Sequence, residues 1–145
     1  MSVLVDTGVF YAHADVDASR HQPAVSAFDA IIDGRFGQPY TSDYIYDETV
    51  TLTLGRTGEF ERARRVGQRI RGVEDFPQFV EIEHVTASDF GKAVEVFERY
   101  DDQHLSFTDA TTVALVERRD IDAVLSFDDD FDGLVDRIDP SDLTG

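Results

Sequence analysis

Four acidic residues in separate stretches of the chain, Asp6, Glu48, Asp109 and Asp128, stand where carboxylate chemistry is possible. Asp6 ends the apolar run Val3-Leu4-Val5, and Asp128 follows Val124-Leu125-Ser126-Phe127. Ligands of open parallel sheets bind beyond the carboxyl ends of the strands, so acids directly after a strand are the ones to follow. Aspartate is also a preferred helix N-cap, which gives both positions a purely structural alternative. Glu48 lies three residues after Ile45 and four before Leu52, on a stripe that also holds Thr49 and turns toward the core. Its neighbour Asp47 is rotated by about 100° and faces water. An inward carboxylate is costly without a partner, so Glu48 either pairs with a buried arginine or joins a shared site. Ser106-Phe107-Thr108-Asp109 reads as a capping box, yet Asp109 shares its face with Val113 and Val116 and so begins an inward stripe. A helix N-terminus there favours the charged carboxylate.

Four carboxylates aimed at one end of a sheet repel one another unless cations sit between them. Hard oxygen ligands without histidine select Mg²⁺, or Mn²⁺, over zinc. Such a site can activate water and stabilise charge on a phosphodiester, and a two-metal version holds its ions about 4 Å apart. His13, His21, His84 and His104 show no metal-ligand spacing and read as surface or core residues. Within Asp128-Asp129-Asp130, Asp128 comes soonest after the strand. Asp129 lies three residues after Ser126, the spacing of a capping box, and reads as the structural acid. Asp130, on a helical turn, points about 200° around from Asp128 and contributes only at a distance.

The elements that must position these acids emerge from apolar periodicity. Val3 to Val5 is a buried strand, with Thr7-Gly8 forming the turn after it. Val25, Phe28, Ile31 and Ile32 mark an amphipathic helix ended by Gly34, and Pro39 to Thr41 a brief strand. Helices are predicted over about 43–54, 59–71, 87–100 and 107–118, and strands at 79–82, 123–125 and near 137–138. Alternating strands and helices give an α/β fold, a central mostly parallel sheet with helices on both faces. The absence of repeats, linkers and low-complexity tracts predicts one domain over residues 1–145.

VLVDTGVFYA at the start, YIYDETVTLTL in the middle, LSFTDATTVAL and finally LSFDDDFDG resemble, in order and spacing, the four acidic motifs of the PIN-domain ribonucleases, in particular the VapC toxins of type II toxin–antitoxin pairs. The likeness spans almost the whole chain; each motif alone is weak and the set is specific. It implies a three-layer PIN fold whose catalytic metal ligands fall on Asp6, Glu48, Asp109 and Asp128. Asp130 matches a supplementary metal-site acid that some members carry after the fourth motif. Thr7 and Thr108 match positions where small hydroxyl residues steady a ligand or water. The resemblance further implies Mg²⁺-dependent hydrolysis of RNA by metal-activated water, with no covalent intermediate. A small antitoxin would cover the acidic pocket, and the chain would form a homodimer. The Asp128-Asp129-Asp130 run departs from the many relatives that keep a basic residue after the fourth acid.

Composition sets the limits. Without cysteine, disulfides, thiolate zinc sites and cysteine nucleophiles are excluded. No apolar run is long enough for a membrane span, and the N-terminus lacks signal-peptide features, so a soluble cytoplasmic protein without membrane partners is expected. Thirteen Lys+Arg against 30 Asp+Glu give a net charge of -17, and with Lys92 as the one lysine the composition resembles proteins of salt-accumulating, halophilic microbes. Such a field opposes unaided binding of nucleic acid, so a polyanion needs bound cations or local arginines. Arg62, Arg65 and Arg69 share one helix face; the plain reading is a solvated face paired with Glu59 and Glu61, the other a contact to phosphates or an acidic partner. Within the same fold, the rival readings are an RNA-processing PIN nuclease without antitoxin and a non-catalytic interaction module. A phosphoryl-accepting receiver would need a lysine late in the chain, whereas Lys92 lies mid-chain. An Asp-nucleophile phosphatase would need a second Asp where Gly8 stands.

Overall fold

A computed structural model describes residues 1–143; the last two positions of the expected 1–145 domain, Thr144 and Gly145, lie outside the described residues. Five strands, β1 (Ser2–Val5), β2 (Gln38–Ser42), β3 (Glu81–Glu83), β4 (Ala123–Leu125) and β5 (Arg137–Ile138), form one sheet in the order β3-β2-β1-β4-β5. Every neighbouring pair is parallel. Val3, Leu4 and Val5 are wholly buried, which demands cover on both faces because successive strand side chains point to opposite sides. Val124 and Leu125 accordingly enter two separate core clusters.

Six helices supply the cover: α1 (Thr7–Ala14), α2 (His21–Ile32), α3 (Asp43–Thr57), α4 (Phe60–Arg71), α5 (Ala87–Arg99) and α6 (Phe107–Arg119). Five were legible as amphipathic stripes. The sixth, α1, replaces the expected turn at Thr7-Gly8. Its Thr7, Val9, Phe10 and Ala12 are all buried, so no one-sided stripe announces it. It packs against α2, α3 and α4. The third strand falls at Glu81–Glu83 rather than 79–82, because Phe79 leaves the sheet to stack on Phe10 and Phe28. Helix α3 runs three residues past Leu54 and closes on Gly58 in the left-handed conformation. Gly67 lets α4 lie close to α3, since a Cβ there would meet Tyr46 Oη at 2.9 Å.

Candidate active site

Strand order reverses between β1 and β4, and in a doubly wound sheet the crevice opens at that point. Asp6 follows β1 directly and is 6% exposed. It occupies the N-cap position of α1, but its side chain makes no capping hydrogen bond, so the structural alternative is not realised. Its Oδ2 instead accepts a hydrogen bond from Ser126 Oγ at 2.7 Å. The same hydroxyl oxygen accepts the Asp128 N–H at 2.9 Å, tying the fourth acidic stretch to the first. Asp6 Oδ1 and Thr7 Oγ1 are buried without any partner.

Helix α3 starts at Ser42, whose hydroxyl accepts the Ile45 N–H, and carries Glu48 one turn on. Glu48 is half-buried and Asp47 exposed, as the periodicity predicts. Among the described residues Glu48 belongs to no ion pair, so the buried-arginine alternative also falls away. Asp109 makes both halves of the capping box with Ser106, at 3.0 and 3.1 Å. A second capping box, Thr86 with Asp89 at the start of α5, provides the contrast. Burial alone would raise the Asp89 carboxyl, but Arg118, whose Nε lies 2.7 Å away, and Thr86 bring it below the usual range. Asp109 has no such cation. Burial, then the charges of Asp128 and Glu48, push it up to about 6.

Asp6, Glu48, Asp109 and Asp128 line one cavity of about 630 Å³ with Thr7, Tyr11, Arg20, Arg56, His104 and Ser126. Asp6 is pushed up to about 7, by burial first and then by the charge of Asp109. Among the described residues none of the four is in an ion pair such as the one Arg118 makes with Asp89. An orphaned, buried carboxylate oxygen among three further carboxylates fits a hard divalent cation, and no cysteine or histidine pair offers a softer alternative. Asp130 is not among the residues lining the cavity. It stands beside Asp128 and Asp129, the three carboxylates lying within 4.8 Å of one another, and partial burial and the Asp128 charge raise it. Thr108 also stays off the cavity, its carbonyl accepting from Thr111 and Thr112. The expected cap at Asp129 is corrected: Asp128 caps the 3₁₀ turn Asp129–Phe131 by accepting the Asp130 N–H at 2.9 Å, and Asp129 is exposed. The Ser126 hydroxyl accepts the Asp128 N–H and donates to Asp6.

The PIN domain family matches residues 3–136. The chain belongs to the PIN-domain family. The 23S rRNA-specific endonuclease VapC20 of Mycobacterium tuberculosis is 30% identical over 129 residues, 89% of this chain and 91% of the relative. The crystal structure of VapC20, described as a sarcin-ricin loop cleaving toxin, superposes with a TM-score of 0.74 at 29% identity, covering 89% of this chain and 92% of that one. Two further solved structures share the fold at low identity. They are a toxin–antitoxin complex from Klebsiella pneumoniae (TM-score 0.64, 16% identity, covering 95% and 97%) and VapBC2 from Rickettsia felis bound to a promoter DNA fragment (0.67, 7%, 95% and 98%).

Several cavity residues escaped sequence reasoning. Arg56 lies four residues after Leu52 on the Glu48 stripe, and ending α3 at Leu54 hid it. Ser126 was legible only as a capping residue. Arg20, Tyr11 and His104 reach the PIN-domain cavity from loops or from the unforeseen α1, and no periodic signal marks them.

Proposed function

We propose that this chain is a Mg²⁺-dependent endoribonuclease, Mn²⁺ being able to substitute, that acts as the toxin of a toxin–antitoxin pair. The observation that carries the reading is the convergence of Asp6, Glu48, Asp109 and Asp128 on one cavity with Asp6 Oδ1 unpartnered. These four acids would hold the ion, and Asp130 would act on Asp128 from outside the cavity. A divalent ion bound there supplies charge neutralisation for the phosphodiester and lowers the pKa of water. The protein's share is orientation. Ser126 fixes the Asp6 carboxylate, and the capping box fixes Asp109 at a helix start whose dipole favours the ionised form. Arg20 and Arg56, stacked on Phe127 and Tyr11 at 4.9 and 4.8 Å, are the cations of the cavity and would meet the phosphate that the carboxylates otherwise repel.

Ribosomal RNA is the first substrate to test, since the curated relative is named for 23S rRNA. A small antitoxin is the proposed partner, its segment covering the acidic cavity. Homodimerisation would use the aromatic patch in which Phe107 meets Phe90, Phe97 and Tyr44, where Phe90 and Phe97 are 47% and 44% exposed. The proposed location is the cytoplasm of a salt-adapted cell; no described helix is long and apolar enough to cross a membrane. The deciding experiment incubates the protein with rRNA and Mg²⁺, Mn²⁺ or Ca²⁺ and maps the new ends, beside calorimetric titration of each ion. Cleavage with Mg²⁺ and Mn²⁺, and binding without cleavage for Ca²⁺, are expected. No divalent binding at moderate ionic strength, or equal cleavage by Asp6→Asn, removes the reading.

A further inference from the structure

A second cavity of about 280 Å³ opens between α1, α3 and α4, lined by Tyr11, Asp15, Thr53, Arg62, Arg65 and Arg69 among others. Its charge is opposite to that of the molecule. Three arginines face one acid there, on a chain whose acids outnumber its cations 30 to 13. Arg62 has an exposed partner in Glu59 at 3.5 Å, but among the described residues Arg65 and Arg69 have no carboxylate within ion-pair distance. Both lie over one ring, Phe76, at 5.2 and 5.0 Å, and Arg69 is further held by His13 Nδ1 at 2.9 Å. Two guanidiniums held side by side on an aromatic face, with no carboxylate at ion-pair distance among the described residues, form a preorganised anion site.

Tyr11 lines both this cavity and the acidic one, and Arg56 of the acidic cavity stacks on its ring. We infer that the second cavity is a phosphate-binding extension of the acidic site, in which Arg62, Arg65 and Arg69 hold the backbone of single-stranded RNA that leaves the cleavage position past Tyr11. The inference rests on the endoribonuclease reading and adds the path of the strand. RNA is favoured over an acidic peptide by continuity. A strand whose scissile phosphate lies among the four acids must carry its next phosphates out of that cavity, and Tyr11 leads to the arginines. The plain expectation of a solvated face paired with Glu59 and Glu61 holds for Arg62 and Arg64 only.

Phosphate contacts carry no sequence information, so a labelled oligouridylate long enough to span both cavities is a sufficient probe. Its binding to the full chain in Ca²⁺ is measured over a range of KCl concentrations, for the parent and for Arg62→Gln/Arg65→Gln. Both side chains are exposed, so folding is not at stake, and Arg69 is left in place because it is half-buried against His13. Arg64→Gln/Arg71→Gln makes the same charge change on the same helix outside the cavity. Removing one cation from a phosphate lowers the slope of log affinity against log salt by about 0.7, so the groove variant should show a slope smaller by about 1.4 and the control no change. The dinucleotide UpU, too short to leave the acidic cavity, should bind all three proteins alike. Equal slopes in all three, or equally reduced slopes in both variants, overturn the inference. So does an unchanged RNA slope with abolished binding of oligoglutamate, which would assign the groove to an acidic protein partner. A parent that binds oligouridylate with this slope pattern but cuts no RNA leaves the groove standing and removes the nuclease reading; a parent that cuts RNA with no groove effect does the reverse.

Discussion

Asp109 and Asp89 occupy the same local motif and differ only in company. Both accept the backbone N–H of the residue three before them, so the motif by itself says nothing about chemistry. Arg118 makes Asp89 a structural acid, while Asp128 and Glu48 make Asp109 one of a repelling set. Asp109→Asn keeps the oxygen that serves Ser106 and removes the charge. Cleavage should collapse, whereas metal-free stability should change by no more than about 1 kcal/mol, the worth of one cap. Equal rates in mutant and parent would reduce Asp109 to a capping residue. The same repulsion sets a pH dependence. Asp6 near 7 and Asp109 near 6 lie above their unfolded values, so the folded metal-free chain keeps protons that the unfolded chain has lost. Their stabilising contribution is complete below about pH 4 and is lost as pH rises through 6 to 7. Divalent metal needs the ionised carboxylates, so its stabilising increment should grow over that window. Thermal melts from pH 5 to 8 should therefore fall without metal and separate progressively from those with Mg²⁺. An Asp6→Asn chain with an unchanged metal-free profile would refute the assignment.

At the scale of elements, the stripe that places Glu48 is spelled out by spacing, because α3 turns Ile45, Thr49 and Thr53 inward and Asp47 outward, whereas α6 is buried all round from Asp109 to Leu115 and is marked instead by its capping box. Helix α1 was not legible because Thr7, Val9, Phe10 and Ala12 are buried, the helix packs against α2, α3 and α4, and its exposed positions, Gly8 and Ala14, carry no polar side chain. With α1 hidden, Tyr11 was hidden too, and truncating α3 at Leu54 concealed Arg56. The acidic half of the site was thus readable, since strands ending in aspartate and inward carboxylates break the hydrophobic pattern. The basic half was not, because an arginine on an aromatic ring looks the same in sequence as one in solvent. Phe90 and Phe97 are a milder case. Their helical spacing predicts a core stripe, but Ala93 and Val96 take the buried positions and the two rings stand about half exposed against Phe107. Contiguous exposed aromatics mark an interaction surface. Phe97→Glu should yield monomers in sedimentation at concentrations where the parent is dimeric, with unchanged secondary structure. A parent that is monomeric throughout would remove the homodimer from the proposed function.

Across the whole molecule the charge is not evenly neutralised. The ion pairs that exist are mostly exposed, such as Arg62 with Glu59 and Lys92 with Glu117, and exposed pairs contribute little. The better-held cations, Arg118 and Arg137, are each shared between two acids, and among the described residues most of the 30 acids have no ion-pair partner. A net charge of -17 on one compact chain favours the expanded state, where the charges lie further apart. Monovalent salt weakens that repulsion, since the screening length shrinks from about 8 Å at physiological ionic strength to about 3 Å at 1 M. It weakens the few attractive surface pairs as well, but these are outnumbered. The thermal midpoint should climb steadily from low to molar KCl, and it should do so in a chain with Asp6→Asn and Asp109→Asn, where the metal cavity no longer dominates. NaCl should act like KCl, because screening depends on ionic strength and not on ion identity. A midpoint that stays flat with salt would mean that the acidic surface is solvated without strain, and that the composition is not an adaptation to salt.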